Sequence, residues 1–113
     1  ETIRIETACG DFTKPLPIPT VDGMLLINSL HYVRRKERTL KHLSTYLKPN
    51  ATVIVIEYNA LRGNFAVPFP FNDRRCLSLL DVAGFSDARI AKRVPSSFMN
   101  EFYVATARWQ PER

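Results

Sequence analysis

VDGMLLINSLHYV (21–33) and YLKPNATVIVIEYN (46–59) decide the fold of this chain. Residues 24–28 are an almost unbroken apolar run, the pattern of a strand covered on both faces. TVIVIEY (52–58) is β-branched and apolar, the best strand in the sequence. Between them the period changes. Val33, Leu40, Leu43 and Leu47 share one stripe at helical spacing, with Arg34, Arg35, Arg38, Lys41 and Lys48 opposite. The spacing predicts a helix over 34–47, ended by Lys48-Pro49-Asn50. Strand, helix, strand within forty residues is the signature of a parallel crossover, and it predicts an α/β sheet.

Outward from this core, residues 3–9 (IRIETAC) alternate and predict a first short strand. TKPLPIPT (13–20) holds three prolines and cannot be helical. LRGNFAVPFPF (61–71) is an apolar, aromatic loop, expected to pack on something. Asn72 is placed to cap a helix over 73–83, and Gly84 to follow its end. Residues 88–94 and 102–109 predict two strands joined by a turn at Pro95-Ser96-Ser97, hence antiparallel. The whole predicts one α/β domain over 1–113: three layers, a mostly parallel sheet and an antiparallel C-terminal hairpin.

Length and composition agree with this. The chain has 113 residues, 45% hydrophobic and 24% charged, which is ordinary globular composition. No apolar run nears the roughly 18–20 residues of a membrane span. No basic segment followed by an apolar one marks a secretory leader. The chain begins at Glu1 rather than Met, as expected of a processed, trimmed or excised piece. Its two cysteines, Cys9 and Cys76, make no disulfide framework and read as small buried hydrophobes in a reducing, cytoplasmic protein. With only His31 and His42 besides, no metal-ligand spacing exists. The net charge of +5 lies wholly in residues 34–48, since the rest carries ten charges of each sign. Three basic residues crowd a helix N-terminus there, against its dipole. A nucleic-acid face is not expected, because no aromatic residues interleave with the basic ones.

In an open α/β sheet, ligands bind beyond the carboxyl ends of the strands. That rule picks out Gly10-Asp11-Phe12, residues 28–32, and Glu57-Tyr58-Asn59. On spacing alone these are ordinary strand-end punctuation: Asp11 a turn cap, His31 a satisfied buried histidine, Glu57 a strand terminus.

The ordered set says more. GDF (10–12), LP (16–17), VDGMLLINSLHYV (21–33), YLKPNATVIVIEYN (46–59) and AGF (83–85) together resemble the C-terminal half of class I S-adenosylmethionine-dependent methyltransferases of the small-molecule type. The resemblance implies a Rossmann-like sheet of order 3-2-1-4-5-7-6, of which this chain would supply strands 3, 4, 5, 6 and 7. It implies S-adenosylmethionine as cofactor and a small-molecule methyl acceptor. It gives Asp11 and Phe12 to the adenine, and Asn28, Ser29 and Leu30 to the cofactor's methionine end. It makes His31 and Glu57 the candidates for a general base, and Tyr32, Tyr58, Phe65 and Phe69 the acceptor-site lining.

Two departures stand out. The family's KPGG turn is Lys48-Pro49-Asn50-Ala51 here, though Asn50 can still adopt positive φ. The family's glycine-rich loop and ribose-gripping acid have no counterpart: the four glycines are at 10, 23, 63 and 84, and no G-x-G exists. The chain alone is therefore expected to bind cofactor weakly or not at all. It is expected to be catalytic only when a missing half is supplied, or else to be a non-enzymatic interaction module on a retained scaffold. A bare edge on the second predicted strand is expected to pair in a homo-oligomer, with a complementing N-terminal half, or with the chain's own first segment.

Overall fold

The computed structural model describes residues 2–98 and 101–111. Its elements are β1 (Val21–Ile27), a 3-10 turn (Leu30–Tyr32), α1 (Lys36–Ser44), β2 (Leu47–Tyr58), α2 (Asp73–Val82), β3 (Phe85–Pro95) and β4 (Glu101–Trp109). The strands form one mixed sheet in the order β1-β2-β4-β3. β1 runs parallel to β2, and β4 is antiparallel to both of its neighbours. This is the 4-5-7-6 order that the resemblance implies. Only one pair is parallel, fewer than the sequence suggested.

Alternation along β2 sets the core. Ala51, Val53, Val55 and Glu57 are buried on one face. Leu26 of β1 and Tyr103, Ala105 and Ala107 of β4 join them, in register. Leu40 and Leu43 of α1, and Cys76 and Leu80 of α2, close the same cluster, so both helices cover one face. The other face is different. Leu25 and Ile27 are 57% and 50% exposed, and Ile54 and Ile56 beside them are only partly covered. Two layers are thus built from the described residues, and the second side of the sheet carries an open apolar strip. The almost unbroken apolar run at 24–28 anticipated a cover on both sides.

Several local readings hold. Asn72 Oδ1 accepts from the Arg75 amide at 3.0 Å, capping α2. Gly84 follows the helix at φ 100°, and Asn50 takes φ 68°. The helix predicted over 34–47 is shorter at both ends, because Leu47 and the Lys48-Pro49-Asn50 segment extend β2 instead.

The strand predicted at 3–9 does not form. These residues are exposed and without regular structure, and Ile3 and Ile5 are 91% and 83% exposed. A lone strand needs a neighbour to satisfy its amides and carbonyls. Among the described residues none pairs with the outer edge of β1. Cys9 goes with that segment: it is exposed, and only Cys76 is the buried thiol expected of both. Burial pushes the Cys76 thiol up to about 12, so it packs as a neutral group. No described helix is long and apolar enough to cross a membrane.

The basic cluster finds local partners. Lys36, one of the six basic residues in 34–48, is buried at 8% exposure. Its ammonium donates to the Val33 carbonyl at 2.7 Å and lies 5.0 Å from the Phe71 ring centre. Burial holds its pKa below the usual lysine value. Arg34 stacks over Phe69, Lys41 pairs with Glu37 and Lys48 with Asp22. The aromatic loop over 61–71 thus packs in part on the first turn of α1.

Candidate functional site

The carboxyl end of β1 turns sharply. Asn28 takes a left-handed φ of 47°, a conformation Asn tolerates better than most residues. The next turn is a short 3-10 helix whose first residue, Leu30, is 1% exposed. Leu30 is therefore an anchor in the core rather than a ligand-facing side chain, and it fixes where His31 begins.

His31 is itself buried and meets Glu57 at the end of the neighbouring strand. The Glu57 carboxylate lies 2.7 Å from His31 Nδ1 and accepts the His31 backbone N–H at 3.2 Å. The two side chains are 3% and 1% exposed. A buried carboxylate must be paired and hydrogen-bonded, and here one residue supplies both donors. Nδ1 faces an acceptor, so in the neutral ring the hydrogen belongs on Nδ1 and the lone pair on Nε2. Phe69 N–H donates to the His31 carbonyl at 2.9 Å, tying loop 61–71 to the same turn.

Three buried side-chain atoms among the described residues have no hydrogen-bond partner: Asn28 Oδ1, Ser29 Oγ and His31 Nε2. All three fall within one four-residue turn. Buried polar groups are nearly always satisfied, so this concentration calls for a partner. A cavity of about 310 Å³ lies beside this turn, lined by Asn28, His31, Tyr32, Tyr58, Ala66, Val67 and Phe98. Its walls are largely aromatic. The His31 and Tyr32 ring centres are 4.3 Å apart, and Tyr58 stands 6.0 Å from His31 and 5.6 Å from Phe98. Tyr58 also stacks on Phe102 at 4.6 Å. The volume suits a small ring compound.

The structure thus brings Asn28, His31, Tyr32 and Tyr58 together, with Glu57 directly behind His31. Ser29 is adjacent in the chain, its hydroxyl buried and unpaired. Asp11 is elsewhere: it is exposed, and its carboxylate accepts from the Thr13 amide and hydroxyl at 2.9 and 2.7 Å. The Thr13 hydroxyl, chiefly, holds its pKa below the usual carboxylate value. Phe12 packs against the hydrophobic core. Phe65 is 100% exposed at the tip of its loop, and Phe69 lies under Arg34. Neither lines the cavity. From the same loop Ala66 and Val67 do, held by their amides donating to Asn64 Oδ1 at 2.9 Å each. Phe98, in the β3–β4 connection, was missed. An aromatic residue in a turn that otherwise reads as polar was the signal available.

No protein-family model and no curated protein matches the chain. Solved structures do match. Human N-acetylserotonin methyltransferase in complex with SAM is 24% identical, with a TM-score of 0.64 over 89% of this chain and 32% of its own. Burkholderia thailandensis 1,6-didemethyltoxoflavin-N1-methyltransferase, with bound 1,6-didemethyltoxoflavin and S-adenosylhomocysteine, is 21% identical. Its TM-score is 0.71 over 88% of this chain and 48% of its own. A possible histamine N-methyltransferase from Thermotoga maritima is 19% identical, with a TM-score of 0.71 over 89% of this chain and 62% of its own. The chain therefore has the class I S-adenosylmethionine-dependent methyltransferase fold. It spans between about a third and two thirds of the length of these three relatives.

A complete cofactor site does not assemble from the described residues. The turn after β1 is in place, but Asp11 is engaged with Thr13, and the outer edge of β1 has no neighbouring strand or glycine-rich turn. What the chain does assemble is the aromatic cavity with a buried imidazole at its base.

Proposed function

We propose that this chain is the acceptor-binding half of a small-molecule methyltransferase, and that its ligand is an aromatic compound with an O–H or N–H to lose. The observation that carries this is the unpartnered Nε2 of a buried imidazole whose other nitrogen faces a buried carboxylate. Such an imidazole accepts a proton from a group placed in the cavity. Glu57 is a positioning residue. It fixes the tautomer and the ring plane, and its charge offsets the one that His31 gains. Tyr32, Tyr58 and Phe98 hold the ligand ring and keep water away from the transfer.

S-adenosylmethionine would supply the methyl group in the completed enzyme. The half that carries its glycine-rich turn would pair with the β1 edge and cover the Leu25–Ile27 strip, or a second copy of the chain would do so. A second reading is a non-enzymatic interaction module. It is favoured by that same open edge and apolar strip, and by the exposed Asp11. The two readings differ at His31.

Titration of the ¹⁵N-labelled chain with phenol tests the first reading, following the His31 ring nitrogens and contacts from the probe to Tyr58 and Phe98. The expected result is a saturable shift centred on Nε2 with contacts to both rings. Phenol that leaves His31 untouched, or that settles on the open sheet face, overturns the reading in favour of the module.

A further inference from the structure

Asn28 and His31 both line the cavity, Asn28 Oδ1 can only accept hydrogen bonds, and the lone pair of a neutral His31 ring on Nε2 is an acceptor too. Both atoms are shielded from water and neither has a partner within the protein. Leaving such atoms unsatisfied is costly, because a buried polar group without a partner forfeits the hydrogen bonds it makes to water. Two unpartnered acceptors on residues that line one small aromatic cavity are satisfied together by a ligand that brings two donors and shifts their side chains toward it. A ligand with one donor answers His31 and leaves Asn28 bare. Tyr32, 59% exposed, is the wall that gives way as the ligand enters, since an exposed side chain changes rotamer readily.

We infer that the ligand is a planar ring bearing two hydrogen-bond donors, one taken by His31 Nε2 and the second read by Asn28 Oδ1. Asn28, which the family resemblance gave to the cofactor's methionine end, is then instead the specificity-determining residue of this cavity. This rests on the acceptor-site reading above and narrows it from any proton-bearing aromatic to dihydroxy- or aminohydroxy-substituted rings. The Ser29 hydroxyl, buried in the same turn and able to donate or accept, is the third polar contact available to such a ligand. The left-handed backbone at Asn28 fits the same role, since strain of this kind collects where a side chain has to be aimed. A site built to bond a second donor discriminates strongly against the analogue that lacks it, because its own polar atom is then left buried and unpaired.

The test compares five probes on the whole chain: phenol, catechol, resorcinol, and the monomethyl ether of each diol. The two diols place the second donor at different separations, and the ethers keep size while removing it. One diol is expected to bind at least about tenfold more tightly than phenol, the value of one hydrogen bond. Its ether is expected to fall back to the phenol value. Asn28→Gly, which suits the positive φ, is expected to bring the diol-to-phenol ratio close to one, and Asn28→Asp, which keeps an acceptor, to retain the preference. Equal binding of phenol and both diols to the wild-type chain overturns this inference and leaves His31 as the only reader, with water on Asn28. An advantage that survives Asn28→Gly overturns it too. Failure of every probe to shift His31 Nε2 sinks the acceptor-site reading itself, so the two failures are distinguishable.

Discussion

Replacing Glu57 with alanine is expected to lower the free energy of unfolding by about 3–5 kcal/mol, because the change strands a buried partner. The side chain is 1% exposed and meets both the ring and the backbone N–H of His31. Without the carboxylate, two donors in a closed space lose their acceptor, and a cavity replaces the side chain. Glu57→Gln keeps an acceptor for Nδ1 and nearly the same volume, so its loss is expected to be clearly smaller. Urea unfolding of the three proteins checks this. An alanine variant within about 0.5 kcal/mol of the wild type, the range usual for surface changes, would show that the pair is open to water in solution.

Tyr103→Ala is expected to cost a similar amount, about 3–5 kcal/mol for an aromatic side chain removed from a packed core. Tyr103 is 0% exposed at the centre of the sheet, and its ring meets Phe71 edge-on at 6.1 Å. Its hydroxyl donates to the Phe71 carbonyl at 2.9 Å. Burial raises the phenol above its ordinary pKa, so it stays a neutral donor. Tyr103→Phe keeps the packing and leaves one carbonyl unsatisfied, at about 1–3 kcal/mol. The bond also fixes one end of loop 61–71, while Phe69 N–H fixes it to His31. Tyr103→Phe is therefore expected to speed amide exchange at Phe69 more than the global loss accounts for. Exchange sped only in proportion to the lost stability would show the loop to be held elsewhere.

The readable parts of the fold were those where local pattern and tertiary context agree. The run at 24–28, the strand at 52–58, the Asn72 cap and the final hairpin all stand where the sequence puts them, within a few residues. Asn50 shows why a motif survives losing its glycines, since the left-handed turn requires only a residue that tolerates positive φ. The strand at 3–9 failed for the opposite reason: alternation supplies a face but not a neighbour, and β1 offers only an edge. The burial of Lys36 is invisible to a count of charges, because its long stem carries the ammonium to a carbonyl and to two phenylalanine rings.

The candidate site was legible at its strand ends and illegible in its loops. His31 and Glu57 sit at the carboxyl ends of neighbouring parallel strands, and their meeting follows from that placement. Nothing in the sequence distinguished Val67 from Phe65 as a lining residue. The loop's path depends on Asn64 folding back on the amides of Ala66 and Val67, a local turn that places Phe65 outside. Phe98 reaches the site only because the β3–β4 hairpin returns beside Tyr58.

The account depends most on a single proton. Long-range ¹⁵N–¹H correlation of the histidine rings in mildly alkaline buffer locates it in the free chain. The account predicts that His31 holds its hydrogen on Nδ1, toward Glu57, with Nε2 bare. A hydrogen on Nε2, or a tautomer mixture like that of free imidazole, would contradict it.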